Sequence, residues 1–391
     1  MAQQQAFFAL IRRLNREEGR TIVMVLHDVN DAAQVSDHLI VMREGRILAQ
    51  GAPEAVLKPN LLEQAFGVPC DVLHDPGTHR MLCVPRSRAA AGCALPPAQK
   101  APAALAARRI AAGYGERQVF ADLSVTFPAG KISAIVGPNG CGKSTLLKAL
   151  ARLLPLTGGT ALLGDRPITA GSHRAFARQL ALLSQHAVAP DGVLVEDLVA
   201  TGRYPHQCWY RQWSREDQEA VERAMDAAGV AALRLRPVES LSGGQRQRAW
   251  LAMALAQETP VLLLDEPTSF LDLAHQVEVL DLVWRLNRSE GKTVIMVVHD
   301  LTQASRYADH LVVMKEGRVV AAGPPEDVLS AALVQDVFGV ESTVIPDPVS
   351  GTPLVFPGRP NPSGLRQGQS RRAAGAPLLS ICISPESPAS P

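Results

Sequence analysis

With 391 residues, 47% of them apolar and 20% charged, the chain can fill two to three ordinary domains and bury a sizeable core. Its 39 basic residues balance 38 acidic ones, which argues against a dedicated nucleic-acid binder. The six cysteines (Cys70, Cys83, Cys93, Cys141, Cys208 and Cys382) include no C-x-x-C pair, so reduced thiols in a cytosolic protein are expected rather than a zinc site or a disulfide framework.

In chain order, Met1 to Phe8 lacks the basic start and long apolar run of a secretory signal. The first organised feature is one half of an internal repeat. Residues 13–76 align without a gap to residues 285–348, and about half of the aligned positions are identical. The offset is 299 − 27 = 272 from His27 to His299, and it also pairs Gly45 with Gly317, Phe66 with Phe338 and Asp75 with Asp347. Two copies so far apart are too few for a solenoid. Residues 85–105 are rich in Ala and Pro and read as a linker. Beyond about residue 360, a Ser/Pro-rich tail, 361–391, is expected to be disordered.

Between linker and tail, β-branched apolar runs alternate with helical patterns, which predicts a mostly parallel sheet with helices on both faces. Ile132–Val136 is a strand leading into Gly137-Pro138-Asn139-Gly140-Cys141-Gly142-Lys143-Ser144-Thr145, with a helix following to Leu153. This matches G-x-x-x-x-G-K-[ST] in the strand–turn–helix context that a phosphate-binding loop needs. Backbone N–H groups and the helix N-terminus would cradle phosphates, Lys143 would reach the β- and γ-phosphates, and Ser144 would ligate Mg²⁺. Residues 186–256 read as a mainly helical subdomain. In it, Leu241-Ser242-Gly243-Gly244-Gln245 opens a helical pattern and forms a second small anion site. The apolar strand Val261–Leu264 ends in Asp265-Glu266, whose side chains point apart, so Asp265 can hold Mg²⁺ while Glu266 acts as general base on water. A last buried strand, Thr293–His299, carries a histidine at its end. The longest apolar runs, such as Val294–Val298, fall far short of the roughly 20 residues that span a bilayer. Any membrane link is therefore expected to run through a partner.

The phosphate loop, the Ser-Gly-Gly-Gln motif and the strand-end acids, in this order with Ser242 lying 265 − 242 = 23 residues before Asp265, resemble the ATP-binding cassette (ABC) ATPases across residues 106–360. The resemblance implies an α/β P-loop NTPase of ABC type, with a mostly parallel core sheet, an antiparallel β subdomain and the helical subdomain. It implies that Tyr114 stacks on adenine and that Gln185 touches Mg²⁺ or the attacking water. It makes Ser269–Asp272 the D-loop and His299 the contact to the γ-phosphate. It implies a head-to-tail homodimer, each ATP lying between the phosphate loop of one domain and Ser242–Gln245 of the other. The segments Leu198–Gln207, Ser269–Gln276 and Pro346–Pro357 are similar to importer ATPases for iron–siderophore, haem and vitamin B12. The iron–siderophore branch is favoured over haem, vitamin B12 and soluble non-transport ABC ATPases. That branch implies permease subunits as direct partners, a substrate-binding protein as an indirect one, no nucleic acid, and peripheral attachment to the cytoplasmic face of the inner membrane. Trp209, Tyr210 and Trp213 are possible anchors for the permease or local packing.

By the same resemblance, residues 1–84 are a truncated C-terminal fragment of a second ABC domain. The fragment keeps the switch histidine, His27, but has no phosphate loop, signature or acidic strand end. Strands such as Ile22–Leu26 should then lack partners and pair promiscuously, or compete for the sheet position of residues 293–345.

Overall fold

The computed structural model describes residues 2–26, 28–74, 81–86, 103–185, 188–208, 213–269, 271–347, 350–357 and 379–383. His27, Cys93, Trp209 and Tyr210 lie outside them.

The first copy runs α1 (Ala2–Glu17), β1 (Ile22–Val25), α2 (Val29–Val35), β2 (His38–Arg43), β3 (Arg46–Gly51), α3 (Pro53–Val56) and α4 (Pro59–Phe66). It closes with a hairpin of β4 (Cys70–His74) and β5 (Met81–Pro85). Asp28 starts α2 by accepting from Asn30 N and Asp31 N at 2.7 and 3.0 Å, and Gly67 stops α4 in the left-handed conformation.

The cassette region opens with a bulged antiparallel sheet. It comprises β6 (Leu105–Tyr114), β7 (Arg117–Phe127), β9 (Gly158–Leu163) and β10 (Arg166–Pro167), in the order β10-β9-β6-β7. Strand β6 starts at Leu105, one residue inside the stretch expected to be linker. Between β7 and β9 lie β8 (Ile132–Val136) and α5 (Lys143–Leu150); α6 (His173–Ala177) then leads to β11 (Leu180–Leu183). The helical part is α7 (Val195–Thr201), α8 (Arg215–Ala227) and α9 (Gly243–Ala256). Inside it the buried Arg203 binds Asp217 and Glu258, each at 2.8 Å, and the Ala256 carbonyl at 2.7 Å, which ties α8 to the end of α9.

Next come β12 (Val261–Asp265), α10 (Leu273–Glu290), β13 (Thr293–Val297), α11 (Leu301–Tyr307), β14 (His310–Lys315), β15 (Arg318–Gly323), α12 (Pro325–Val328) and α13 (Ala331–Phe338). They close with the hairpin β16 (Ser342–Pro346) and β17 (Pro353–Pro357). The core sheet has the order β11-β12-β13-β8-β14-β15 and is parallel except for β14–β15. Strands β8, β12 and β13 are buried along their whole length, as expected of strands with helices on both faces. This is the α/β P-loop architecture expected, and Ile132–Val136 and Val261–Asp265 are strands over the predicted residues.

Two expectations about the ends of the chain do not hold. Within the tail expected to be disordered, Leu379–Ile383 forms a five-residue, mainly apolar strand, β18, whose sequence Leu-Ser-Ile-Cys-Ile suits a buried position. Strands β1 and β2 are not left without partners, because β18 lies between them in a sheet of order β1-β18-β2-β3. Strands β13 and β14 keep their own sheet, with no exchange between copies. Among the described residues no helix is long and apolar enough to cross a membrane, and the five described cysteines are free thiols.

Candidate functional site

The site lies where β8, β12 and β13 end on the same edge of the core sheet. After β8 the chain turns through Gly137, at φ +156°, where a Cβ would stand 2.2 Å from the Met314 carbonyl oxygen and 2.9 Å from Cys141 Sγ. Only glycine fits so close to a neighbouring strand. Gly142, also at positive φ, is the residue from which α5 starts. Lys143 is buried, and its Nζ donates to the carbonyls of Gly137 and Pro138, both at 2.9 Å, so the ammonium is held inside the curl of its own loop. Burial pushes the Cys141 thiol up and keeps it neutral beside that charge.

Ser144 Oγ donates to Asp265 Oδ1 at 2.8 Å. Burial pushes the Asp265 carboxyl above its usual range, helped by the charge of Glu266, although the Ser144 hydrogen bond opposes it. A buried carboxylate and a hydroxyl in contact form a hard-oxygen pair that suits Mg²⁺, which keeps several waters and needs few protein ligands. No group of three or more His, Cys, Asp or Glu is gathered for a metal among the described residues.

Glu266 stands just beyond β12 in the left-handed region, at φ +54°, a strained conformation for a non-glycine residue. The turn directs its carboxylate away from Asp265. Its Oε2 accepts from Gln185 Nε2 at 2.5 Å and from Ser269 Oγ at 2.8 Å, and its Oε1 lies 2.5 Å from His299 Nε2. Burial raises the Glu266 carboxyl, but the hydrogen bonds from His299 and Ser269 and the nearby charges outweigh it and hold it below the usual glutamate range. Of the predicted residues, Lys143, Ser144, Asp265, Glu266, Gln185 and His299 are therefore brought to one edge. Ser269 was named only as part of the D-loop, and its bond to Glu266 depends on the turn after β12, which a motif does not reveal. Tyr114, half exposed, ends β6 at the β6–β7 turn.

Ser242, Gly243, Gly244 and Gln245 form the start of α9. Ser242 Oγ accepts from Gln245 N at 3.3 Å, and the Gln245 side chain accepts from Ser242 N at 3.2 Å, a reciprocal capping box. Asp272 is the last residue of the D-loop that the resemblance implies. It is buried as the cap of α10, accepting from His275 N at 3.0 Å and lying 2.7 Å from His275 Nδ1, which raises the His275 pKa. His275 was missed in the sequence, although its i,i+3 spacing from Asp272 is a readable signal. It packs on Gly244, where a Cβ would meet ring atoms at 2.3–2.9 Å. Because Asp272 fixes that ring, Gly244→Ala should destabilise the domain by about 1–3 kcal/mol through overpacking. Chemical denaturation checks this; an unchanged midpoint would show that the ring yields freely.

Residues 120–269 match the ABC transporter family. The achromobactin transport ATP-binding protein of Dickeya dadantii (strain 3937) is 50% identical over 260 residues, covering 66% of this chain and 97% of that protein. The ferric enterobactin transport ATP-binding protein of Escherichia coli (strain K12) is 48% identical over 262 residues, covering 67% and 97%. Among solved structures, a part of an ABC transporter complex from Clostridium perfringens is 27% identical with a TM-score of 0.52, covering 60% of this chain and 94% of that one.

Proposed function

This chain belongs to the ABC transporter ATP-binding proteins, and from that premise we propose that it powers uptake of an iron–siderophore complex through a membrane permease, attached peripherally at the cytoplasmic face of the inner membrane. The observation that carries the catalytic part is the four-member cluster of Glu266 with Gln185, Ser269 and His299, set beside Lys143 and the Ser144–Asp265 pair. ATP is the substrate. Gly137–Thr145 wraps its phosphates, Lys143 neutralises charge on the β- and γ-phosphates, and Tyr114 offers its ring to adenine. Ser144 and Asp265, with Gln185 nearby, hold Mg²⁺, which when bound supplies charge neutralisation at the phosphates.

Glu266, kept ionised by its partners, orients a water and accepts its proton as the water oxygen bonds to the γ-phosphorus and the bond to the β–γ bridging oxygen breaks, releasing ADP. His299 and Gln185 fix the carboxylate from opposite sides. Two cassettes pair head to tail, so that Ser242–Gln245 of one caps the ATP of the other through N–H groups at the start of α9. The siderophore assignment rests on the names of the relatives and on the similar segments at 198–207 and 346–357. Co-purification with the permease followed by uptake of labelled ferric siderophore into vesicles tests it. ATP-driven uptake is the expected result; uptake of haem or vitamin B12 alone would replace the substrate, and binding to no permease would end the transport reading.

A further inference from the structure

The two copies of the repeat fold alike, element by element. Strand β2 corresponds to β14, β3 to β15, α2 to α11 and the hairpin β4–β5 to β16–β17, all at the offset of 272, and even the bulge after Val41 recurs after Val313. The first copy has no residues of its own for the strand that β8 supplies in the cassette. That place is taken by β18 from the far end of the chain. Ile22 faces Leu379 and Val25 faces Cys382, as Val294 faces Ile132 and Val297 faces Ile135. On the other side Ser380 faces His38 and Ile381 faces Leu39, as Ser133 faces His310 and Ala134 faces Leu311. The strand is parallel to both neighbours and in the register of the phosphate-loop strand on both sides. Ile381 and Ile383 are fully buried in the core of the first copy, beside Leu39, Val41 and Leu62. Beyond Ile383 the sequence continues Ser-Pro-Glu-Ser-Pro, so this strand leads into no phosphate loop.

The completed copy does not float free. Leu82, Val84, Leu354 and Phe356 form one buried cluster, flanked by Leu73 and Ile345. These are three equivalent pairs, since 345 − 73, 354 − 82 and 356 − 84 are all 272. Asp28 and Asp300, again equivalent, line one cavity of about 30 Å³ between the copies, with room for little more than a water. Arg306 donates to the Pro85 carbonyl, and Leu273, next to the D-loop, packs on the core of the first copy. Equivalent residues meeting one another mark an isologous, two-fold interface, here made within one chain.

We propose that residues 2–86, completed by Leu379–Ile383, are an internal stand-in for a second cassette, seated on a self-complementary face formed by Leu354, Phe356 and the surroundings of Asp300. The stand-in has no phosphate loop and no Ser-Gly-Gly motif, so it fills the face without offering a nucleotide site. While it is seated, another chain cannot use the same face, and pairing of two cassettes has to proceed against it. Only this last consequence rests on the ABC reading; the seating rests on the register and the paired residues.

Two arms test it in the full chain. In the first, Ile381→Pro removes a backbone donor from the middle of β18 and should speed hydrogen exchange in Ile22–Val25 and His38–Arg43 on the order of 100-fold, leaving β13 and β14 unchanged. Equal exchange in β1 and β2 before and after the change overturns the stand-in strand. In the second, light scattering without nucleotide should give the wild type a mass of 41.8 kDa. Leu82→Asp with Val84→Asp should unseat the copy and shift the mass to that of a dimer. Adding Leu354→Asp and Phe356→Asp should return it to a monomer, which separates pairing through this face from general aggregation. A dimeric wild type, a monomeric double variant or a quadruple variant that stays associated overturns the face. Binding of a fluorescent ATP analogue, measured alongside, should persist in every form. Its absence from the wild type would count against the ATP-binding reading and leave both arms to judge the seating.

Discussion

Glu266→Gln should leave ATP binding near its wild-type level and lower turnover by on the order of 10²- to 10⁴-fold, the usual weight of a positioned general base. The exchange is nearly isosteric. The new amide oxygen can still accept from Gln185 and Ser269, while its NH2 meets His299, whose ring nitrogen can accept in the other tautomer. Packing around the turn is thus kept and the proton acceptor is lost. With ATP bound but not split, two cassettes should stay joined, so light scattering with MgATP should show a persistent dimer. Single-turnover hydrolysis is the deciding measurement, and a rate within threefold of wild type would remove Glu266 from the role of base. The pH profile gives a second check. Because its partners hold the Glu266 carboxyl below the usual glutamate range, the base stays deprotonated as pH falls, and the acid limb of the wild-type profile should lie below that of an ordinary glutamate.

Lys143→Ala should weaken ATP binding by roughly 10- to 150-fold, the equivalent of one charge-assisted hydrogen bond worth about 1.5–3 kcal/mol. The change leaves the buried Gly137 carbonyl without that donor, at a cost of about 1–3 kcal/mol, so a thermal melt should show a lowered midpoint with the fold kept. Titration with a non-hydrolysable ATP analogue reads the affinity. Binding at wild-type strength would mean that the phosphates lie elsewhere than in the curl of Gly137–Thr145. The two variants are expected to separate: loss at Lys143 falls on binding, and loss at Glu266 falls on the chemical step.

The chemistry of this protein was written locally in its sequence. A phosphate loop needs glycines, a lysine and a hydroxyl within nine residues between a strand and a helix, and residues 137–145 satisfy that with no help from distant parts of the chain. The acid pair after an apolar run, and the serine before a helical pattern, are short-range patterns of the same kind. Contacts between separate turns were not legible there: the grip of Ser269 on Glu266, the burial of Asp272 as a helix cap and the wedge of His275 against Gly244 depend on how loops meet in space.

The largest divide concerns the two ends of the chain. The repeat at an offset of 272 was plain in the sequence, and so was the lack of a phosphate-loop strand in the first copy. That a five-residue segment more than 300 residues away fills the gap could be settled only by tertiary structure. A short run such as Leu-Ser-Ile-Cys-Ile has no period that separates a buried strand from a stray apolar patch. Its conformation is decided by the unpaired backbone N–H and C=O groups of β1 and β2, whose demand for partners reaches across any distance in the chain.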